Sequence, residues 1–223
     1  MAVEVTEKKQ RVTFLKVPID IIAPEDLSDL VYDMIKEDKE HNIVLLSIWD
    51  LLRARRSSEY RTYITRASLV IPISKSIISG LKFLTGKKAY RYMPFDFIIS
   101  ILTILEKREH STFLLGGKKK ILNIAEKNIR QTFPRLRIVG RCHGSFKRHE
   151  EAIIIKAIKK SSPSLLLVGK GVSGKEKWIA RNNVAIGQKG MRLWGSDIFD
   201  VFAENKKHPS SKTFNAGDRK SVV

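Results

Sequence analysis

The segment at residues 169–175 combines residue types and spacing that are typical of a phosphate site. It reads Gly-Lys-Gly-Val-Ser-Gly-Lys, and an apolar run at residues 165–168 precedes it. A segment compatible with a helix begins directly after it, at Glu176. A strand, a glycine loop and a helix in this order present backbone N–H groups and the positive end of a helix to an anion. The sequence therefore predicts a ligand that carries phosphate.

The same loop matches the G-x-G-x-x-G fingerprint of dinucleotide-binding domains, with Gly169 and Gly171 as its first two glycines. That fingerprint also needs an Asp or Glu at the end of the next strand, where the acid holds a ribose. Residues 184–186 are predicted to form that strand, and Gly187 follows them instead of an acid. We therefore do not expect the loop to bind NAD.

The loop also comes close to the P-loop pattern G-x-x-x-x-G-K-[ST], with Lys175 in the lysine position. The next residue should be Ser or Thr, because its hydroxyl holds Mg²⁺. Here it is Glu176, which would repel phosphate oxygens. Cys142, His143 and His149 do not have the spacing of zinc ligands. The sequence predicts neither an NTPase nor a metal site, and no cofactor.

The segments around the loop belong to an alternation of strands and helices. Strands are predicted at 112–115, 136–139 and 165–168. A helix with Leu122, Ala125 and Ile129 on one face follows the first strand, and helices at 149–160 and 176–182 follow the other two. Short apolar strands that alternate with helices are typical of an α/β protein with a mainly parallel sheet covered on both faces. Ligands of such sheets bind beyond the carboxyl ends of the strands. Gly116 and Gly117 end one strand, so we expect them at the same edge as Gly169.

The first half of the chain is less regular. Strands are predicted at 11–17, 42–47 and 67–73, and helices at 24–35, 52–65 and 95–107. The whole pattern predicts one α/β domain over residues 1–205. Residues 206–223 are polar and lack periodicity, and we expect them to form a disordered tail.

The net charge of +19 implies an anionic partner. The cations are spread in pairs and triplets, without a basic block or an arginine-rich arm. Such diffuse charge favours an anionic membrane surface or phosphorylated ligands over the readout of bases. No nucleic-acid-binding motif accompanies the charge, so nucleic acid is not the expected partner. A merely solvated lysine-rich face is the alternative.

The sequence also predicts a compartment. Cys142 is the single cysteine, which excludes an intramolecular disulfide and suits a reducing cytosol. Residues 1–11 are charged and lack the apolar core of a secretory signal. The longest apolar run, 97–105, is shorter than the roughly 20 residues that a membrane span needs. A cytoplasmic protein is expected, and peripheral binding to the inner face of the cell membrane is compatible with this location.

Three groups of residues resemble the WecG/TagA/CpsF glycosyltransferases. They are Phe-Leu-Leu-Gly-Gly ending at Gly117, Phe-Pro-Arg-Leu-Arg-Ile-Val-Gly ending at Gly140 and followed by His143-Gly144, and Leu-Leu-Val-Gly-Lys-Gly ending at Gly171 and followed by Glu-Lys-Trp-Ile-Ala-Arg-Asn from Glu176. Their order and spacing match over residues 111–187. Weaker similarity reaches back to residues 17–20. This combination is far more specific than any single glycine motif.

The resemblance implies a Rossmann-like fold and the transfer of an N-acetylmannosamine-type sugar from UDP to an acceptor linked to undecaprenyl diphosphate, without a metal. Such a transfer needs a base for the acceptor hydroxyl and cationic or N–H groups for the leaving diphosphate. The resemblance assigns Arg91 to the donor diphosphate and puts Lys175 where the family has a Gln. The residues expected to bind substrate are Ser47, Arg91, Gly116, Gly117, Gly169, Gly171 and Lys175.

The sequence departs from the family at the proposed base, an Asp in a Pro-Asp-Gly motif. The matching residues are Pro72-Ile73-Ser74, so that carboxylate is absent and Asp96 or Glu176 becomes the candidate base. The family's C-terminal appendage, with its Glu-Trp-Leu-Tyr-Arg pattern, has no counterpart after Pro209, which predicts an open site. The alternative function is a catalytically lapsed member that acts as a scaffold with a protein partner in an envelope-associated assembly.

Several of these residues also have a purely structural interpretation. Gly116 and Gly117 would permit a tight turn, and Arg91 would be an ordinary surface cation. Asp96 would cap the helix that follows it. Trp178 is expected to pack in the core and not to stack on a sugar.

Overall fold

The computed structural model of the protein describes residues 8–187 and 189–207. Its strands are β1 Gln10–Phe14, β2 Val17–Ile21, β3 Glu40–Leu46, β4 Leu69–Pro72, β5 Ser111–Leu115, β6 Arg137–Cys142, β7 Leu165–Gly169 and β8 Gly190–Ser196. Its helices are α1 Leu27–Lys36, α2 Ile48–Arg56, α3 Ser58–Thr65, α4 Lys75–Thr85, α5 Pro94–Lys107, α6 Lys119–Thr132, α7 Arg148–Ser161, α8 Glu176–Ile186 and α9 Ile198–Phe202. Most of the predicted tail, 208–223, lies outside the described residues.

Strands β3 to β8 form one parallel sheet in the order β4-β3-β8-β7-β5-β6. The prediction of an α/β fold with a mainly parallel sheet is confirmed. Because all six strands point the same way, their carboxyl ends lie along one edge of the sheet, which we call the carboxyl edge. The loops that leave this edge are the natural place for a ligand.

The core occupies both faces of the sheet because successive side chains of a strand point to opposite sides. On β7, Leu165 and Leu167 face the side covered by α1, α5, α6 and α9. Leu166 and Val168 face the side covered by α7 and α8. Helices therefore cover both faces, as the apolar runs predict. Trp178 of α8 is buried in the second of these clusters, as expected.

The predicted single strand at 11–17 is wrong, because the chain turns back at Leu15 and Lys16. Both residues have positive φ angles, 49° and 65°, and they join β1 to β2 in an antiparallel hairpin. The turn itself contains neither Asn nor Gly, the residues that usually mark such a turn in a sequence. Asp20 fixes the hairpin to β4, since its buried carboxylate accepts hydrogen bonds from Arg11 Nε at 2.7 Å and from the Val70 N–H at 2.6 Å.

The predicted helix at 52–65 is divided into α2 and α3 at Ser57, whose hydroxyl accepts a hydrogen bond from the Tyr60 N–H at 3.3 Å. Helix α4 was not predicted at all. It buries only Ile77 and Leu81, which is too short an apolar repeat to be recognised in the sequence.

The predicted strand at 184–186 is also wrong. These residues are the last turn of α8, and the next strand is β8, which was not predicted. Three apolar residues fit a strand or a helix equally well, and here the helix continues until Gly187. Strand β8 lies between β3 and β7 in the centre of the sheet, and Asp197 follows it directly.

His41 of β3 is 2% exposed, and its ring nitrogens make no hydrogen bond although Nε2 lies 3.3 Å from a Glu37 carboxylate oxygen. Burial lowers the pKa of His41 because it disfavours the charged imidazolium. The neighbouring Lys39 and Lys9 lower it further. Glu37 and Glu40 act in the opposite direction without cancelling the effect of burial.

Below about pH 6.5, the pKa of a histidine in an unfolded chain, the unfolded state therefore binds more protons than the folded state. We expect the free energy of unfolding to fall as the pH drops below this value, and urea unfolding at a series of pH values measures the decline. A His41→Gln variant should show a smaller decline in the free energy of unfolding. Part of the decline should remain because burial also lowers the pKa of His110. An exposed control, His149→Gln, should keep the full decline; equal pH profiles for the two variants would contradict this prediction.

Candidate functional site

The carboxyl edge gathers the residues that the sequence analysis assigned to the site. Ser47 follows β3, Gly116 and Gly117 follow β5, and Gly169 ends β7. The remaining members lie beyond these strands: Arg91 precedes α5, Asp96 is in the first turn of α5, and Gly171, Lys175 and Glu176 form the passage from β7 to α8. The first turn of α5 is held near this edge, because the Phe95 ring lies 5.2 Å from the ring of Phe202 in α9.

The glycine turns after β5, β6 and β7 are packed backbone against backbone. The Gly117 N–H donates to the Lys170 carbonyl at 2.6 Å, and the Gly144 N–H donates to the Gly117 carbonyl at 2.9 Å. A Cβ atom on Gly144 would lie 2.6 Å from the Gly171 carbonyl carbon, and one on Gly116 would lie 2.6 Å from the Gly169 oxygen. Only glycine allows this approach, so the turns form one compact unit.

The backbone amides of Gly116 and Gly117, which were expected to contact a phosphate, donate hydrogen bonds within this packed unit instead. The Gly116 N–H donates to the Cys142 carbonyl at 2.9 Å, and the Gly117 N–H is bonded to Lys170. Both glycines are also buried. They shape the carboxyl edge, and a hydrogen bond from either amide to a ligand stays a prediction. Gly171 is the exposed member of the unit, with a φ of 95°.

Arg91 is held at the carboxyl end of β4. Its Nε donates a hydrogen bond to the Ile73 carbonyl at 2.8 Å, and the side chain is half-buried. The Ile73 N–H in turn donates to the Leu46 carbonyl of β3 at 3.0 Å. The side chain of Ile73, which stands where the family has its proposed base, packs against the core. The structure therefore gives Arg91 a defined position and gives Ile73 a packing role.

Ser47 caps the N-terminus of α2. Its hydroxyl accepts the Asp50 N–H at 3.2 Å and its own N–H donates to Asp50 Oδ2 at 3.0 Å, which forms a capping box. The hydroxyl also donates to Asp50 Oδ2 at 2.6 Å. Ser74, after β4, accepts a hydrogen bond from the Ile48 N–H at 2.9 Å. These contacts join the ends of β3 and β4, and they give Ser47 and Asp50 fixed positions at the site.

Glu176 is buried at the start of α8 and forms an ion pair with Arg53 of α2. The Arg53 guanidinium carbon lies 3.6 Å from the centroid of the Tyr60 ring, and the Tyr60 hydroxyl donates to Asp50 at 2.9 Å. The network links α2, α3 and α8 around the glycine loop. The Glu176 carboxylate is thus already engaged by a cation, whereas Lys175 beside it is exposed.

A second charged cluster, not proposed from the sequence, surrounds Lys170. Its Nζ lies 3.2 Å from Asp197 Oδ1 and 3.1 Å from Asp200 Oδ1. Burial would lower the pKa of Lys170, but the hydrogen bonds to both carboxylates outweigh it and raise that pKa. Burial would raise the pKa of Asp197, but the hydrogen bonds from Lys206 and Lys170 lower it. Both groups are therefore charged at neutral pH.

The cluster was missed because β8 was not predicted, although apolar Met191 and Leu193 on either side of Arg192 have the alternate spacing of a strand. One argument against NAD binding was that no acid follows the strand after the glycine loop. That argument is wrong, because this strand is β8 and Asp197 follows it directly. That acid lies within reach of Lys170 of the loop.

Among residues 8–187 and 189–207, no group of three or more His, Cys, Asp and Glu side chains could hold a metal ion. The thiol of Cys142 is half-buried, and burial raises its pKa, with Glu150 acting in the same direction. In the same ranges, every helix is too short or too polar to cross a bilayer.

The parallel sheet, with glycine turns and cations at its carboxyl edge, defines an α/β protein of the class whose ligands bind beyond the carboxyl ends of the strands. The family is decided by comparison with known sequences. The sequence model of the Glycosyl transferase WecG/TagA/CpsF family matches residues 12–217, so the chain belongs to this family. The resemblance found in the motifs is confirmed.

Curated relatives agree with this assignment. The chain is similar to the N-acetylglucosaminyldiphosphoundecaprenol N-acetyl-beta-D-mannosaminyltransferase of Bacillus subtilis (strain 168), with 22% identity over 158 residues that cover 71% of this chain and 60% of the relative. The protein of the same name from Staphylococcus aureus (strain NCTC 8325) is 24% identical over 148 residues, or 66% of this chain and 57% of the relative. The matched region thus spans less than two thirds of the length of either relative.

Proposed function

We propose that this protein transfers an N-acetylmannosamine-type sugar from UDP to an acceptor linked to undecaprenyl diphosphate. The observation that carries the proposal is that Arg91, Lys175 and the packed glycine turns all lie along one edge of the sheet in a chain of the WecG/TagA/CpsF family. The names of the relatives indicate the sugar and the acceptor. The proposed location is the inner face of the cell membrane, where a lipid-linked acceptor is available.

In the proposed reaction, the acceptor hydroxyl oxygen attacks the anomeric carbon of the sugar while the bond from that carbon to the UDP oxygen breaks. The hydroxyl proton passes to a base, and UDP leaves with an additional negative charge. Arg91 and Lys175 stabilise that charge, and Arg91 is well placed to do so because its hydrogen bond to Ile73 fixes its position. The residues at this edge would perform this role without a metal.

Asp96 is the better of the two candidate bases. It is exposed at the N-terminus of α5, five residues after Arg91, whereas Glu176 is buried. A base must accept a proton from a substrate that reaches it. Glu176 therefore fits a structural role, in which it holds the start of α8 against α2.

The alternative is a catalytically lapsed member of the family that acts as a scaffold. The observation that favours it is the packing of Ile73, which puts an apolar side chain where the family has its proposed base. A lapsed enzyme of this kind would keep the fold and could still bind UDP. Its partner would be another protein of an envelope-associated assembly.

Titration calorimetry with UDP, UDP-N-acetylmannosamine and UDP-N-acetylglucosamine, followed by a turnover assay with a lipid-diphosphate acceptor, tests the proposal. Asp96→Asn is expected to lower turnover by about a hundredfold or more, because it removes the base. Glu176→Gln should reduce turnover much less. The matched control Asp38→Asn changes an exposed carboxylate before β3, at the opposite edge, and should leave turnover unchanged. UDP binding without turnover would support the scaffold instead.

A further inference from the structure

One surface of the protein exposes several large apolar side chains. It comprises the turn at Leu15 and Lys16 and residues 82–90, which end α4 and lead away from it, and we call it the α4 surface. Phe83 is 87% exposed, Leu84 59% and Tyr90 48%, while Leu15 in the turn is 47% exposed. Exposed apolar groups that lie together mark a site of interaction with another surface.

The two parts of the α4 surface lie side by side. A Cβ atom on Gly80, in the middle of α4, would meet the Phe14 ring at 3.0 Å, so the end of the β1–β2 hairpin rests on this helix. Leu15 follows Phe14 and has a left-handed backbone, which is unfavourable for a residue with a Cβ atom. Its side chain is only about half-buried, so the fold offsets little of this cost, and the exposed half of the leucine is available for contact with a partner.

The charge of this surface is uniformly positive. No acid occurs between Glu59 and Asp96, and all the charged residues of that segment are cations: Arg61, Arg66, Lys75, Lys82, Lys87, Lys88 and Arg91. Three of these lysines, at positions 82, 87 and 88, are exposed next to Phe83 and Leu84 in sequence, and Lys16 is exposed beside Leu15. The partner of such a surface is both apolar and anionic.

We propose that the α4 surface docks the protein on an anionic lipid bilayer. Apolar side chains interleaved with lysines are the composition with which peripheral proteins enter the interface between headgroups and acyl chains, while the lysines attract anionic lipids. The apolar residues are at the end of a helix and the tip of a hairpin, so they project outward. This shape suits insertion into a bilayer.

Docking at this surface would bring the carboxyl edge close to the bilayer. Phe83 is about 12 Å along α4 from Lys75, which follows the end of β4. Arg91, directly after the α4 surface in sequence, is bonded to Ile73 at that same end of β4. The inference thus rests on the proposed function, in which the acceptor is linked to a lipid and its diphosphate must reach Arg91.

Cosedimentation with vesicles tests the docking surface without any sugar donor or acceptor. The protein is expected to bind equimolar phosphatidylcholine and phosphatidylglycerol, and to bind phosphatidylcholine alone only weakly. High salt should reduce the binding, because it screens the lysines. The triple variant Lys82→Gln, Lys87→Gln, Lys88→Gln should weaken binding by about a hundredfold. The double variant Phe83→Ser, Leu84→Ser should weaken it by about tenfold or more.

Matched controls come from α7 and α8. Val184→Ser changes an apolar residue that is 85% exposed on α8, and Lys156→Gln, Lys159→Gln, Lys160→Gln makes the same change of charge on α7. Both controls should bind vesicles like the unaltered protein. Equal losses in the controls and in the α4 variants would overturn the proposal. It would also be overturned if vesicles did not bind and the α4 variants instead lost binding to single-stranded DNA or to a protein.

The outcome is independent of the test of function. If the protein binds vesicles through the α4 surface but neither binds UDP nor turns over, the docking surface stands and the glycosyltransferase proposal fails. If turnover occurs with an acceptor in detergent but vesicle binding is absent, the docking surface alone fails. Thermal unfolding of each variant checks that it remains folded, which is expected because the substituted side chains are exposed.

Discussion

Replacing Gly116 by Ala is expected to lower the free energy of unfolding by about 3 kcal/mol or more, because two unfavourable effects act at once. The φ of Gly116 is 133°, a conformation that residues with a Cβ atom rarely adopt. The added Cβ atom would also lie 2.6 Å from the Gly169 oxygen and 2.8 Å from the Gly169 nitrogen. Backbone atoms cannot rotate away as the end of a side chain can. Urea unfolding measures the loss.

Gly187→Ala separates the two effects. Gly187 has almost the same φ, 131°, but a Cβ atom there would meet nothing within 4 Å. The free energy of unfolding of this variant should therefore fall only by the cost of the unfavourable backbone conformation, on the order of 1 kcal/mol. The difference between the two variants measures the close approach of the glycine turns. Equal losses would show that the approach is unimportant for stability.

The same substitution is expected to affect binding. Moving the turn after β5 away from the turn after β7 would disturb the Gly117–Lys170 hydrogen bond and the position of the glycine loop. UDP binding by Gly116→Ala should consequently be lost or greatly weakened under conditions in which the variant is folded. Gly187→Ala, at the far end of α8, should retain UDP binding.

Replacing Arg91 by Ala is expected to weaken UDP binding by about thirtyfold, or about 2 kcal/mol, the usual range for a lost hydrogen bond to a charged group. The effect should appear whether the enzyme is active or lapsed, because it concerns the diphosphate alone. Arg91→Lys should be intermediate, since Lys keeps the charge but cannot reproduce both the Nε bond to Ile73 and a bond to phosphate. Titration calorimetry measures both variants.

Arg66→Ala is the control for this series. Arg66 is an exposed cation before β4, whereas Arg91 is bonded at the carboxyl end of the same strand. The two variants change the net charge equally, so a general electrostatic effect would weaken UDP binding in both. A specific diphosphate contact would weaken it in Arg91→Ala alone. If Arg91→Ala bound UDP as tightly as Arg66→Ala, Arg91 would be an ordinary surface cation.

The sequence was a good guide where local patterns were complete. Strands β5 and β7 are short apolar runs that end at glycines, and helices α6 and α7 repeat apolar residues at helical spacing, so both types were recognised. The turn at Leu15 and Lys16 has no such local marker, and the hairpin was missed. Residues 184–186 have the same apolar pattern in a strand and in a helix, and only the continuation to Gly187 decides between them.

The sequence by itself determined the family, the parallel sheet and the edge at which the site residues lie, because all three follow from short motifs and from the direction of strands. Only the tertiary structure decided which side chains meet there. Arg53 and Glu176 form an ion pair although they are 123 positions apart in the sequence. Lys170 forms ion pairs with Asp197 and Asp200 because β8 lies next to β7. Such pairs depend on the order of strands in the sheet, in which neighbours in space are distant in sequence, and no local pattern encodes that order.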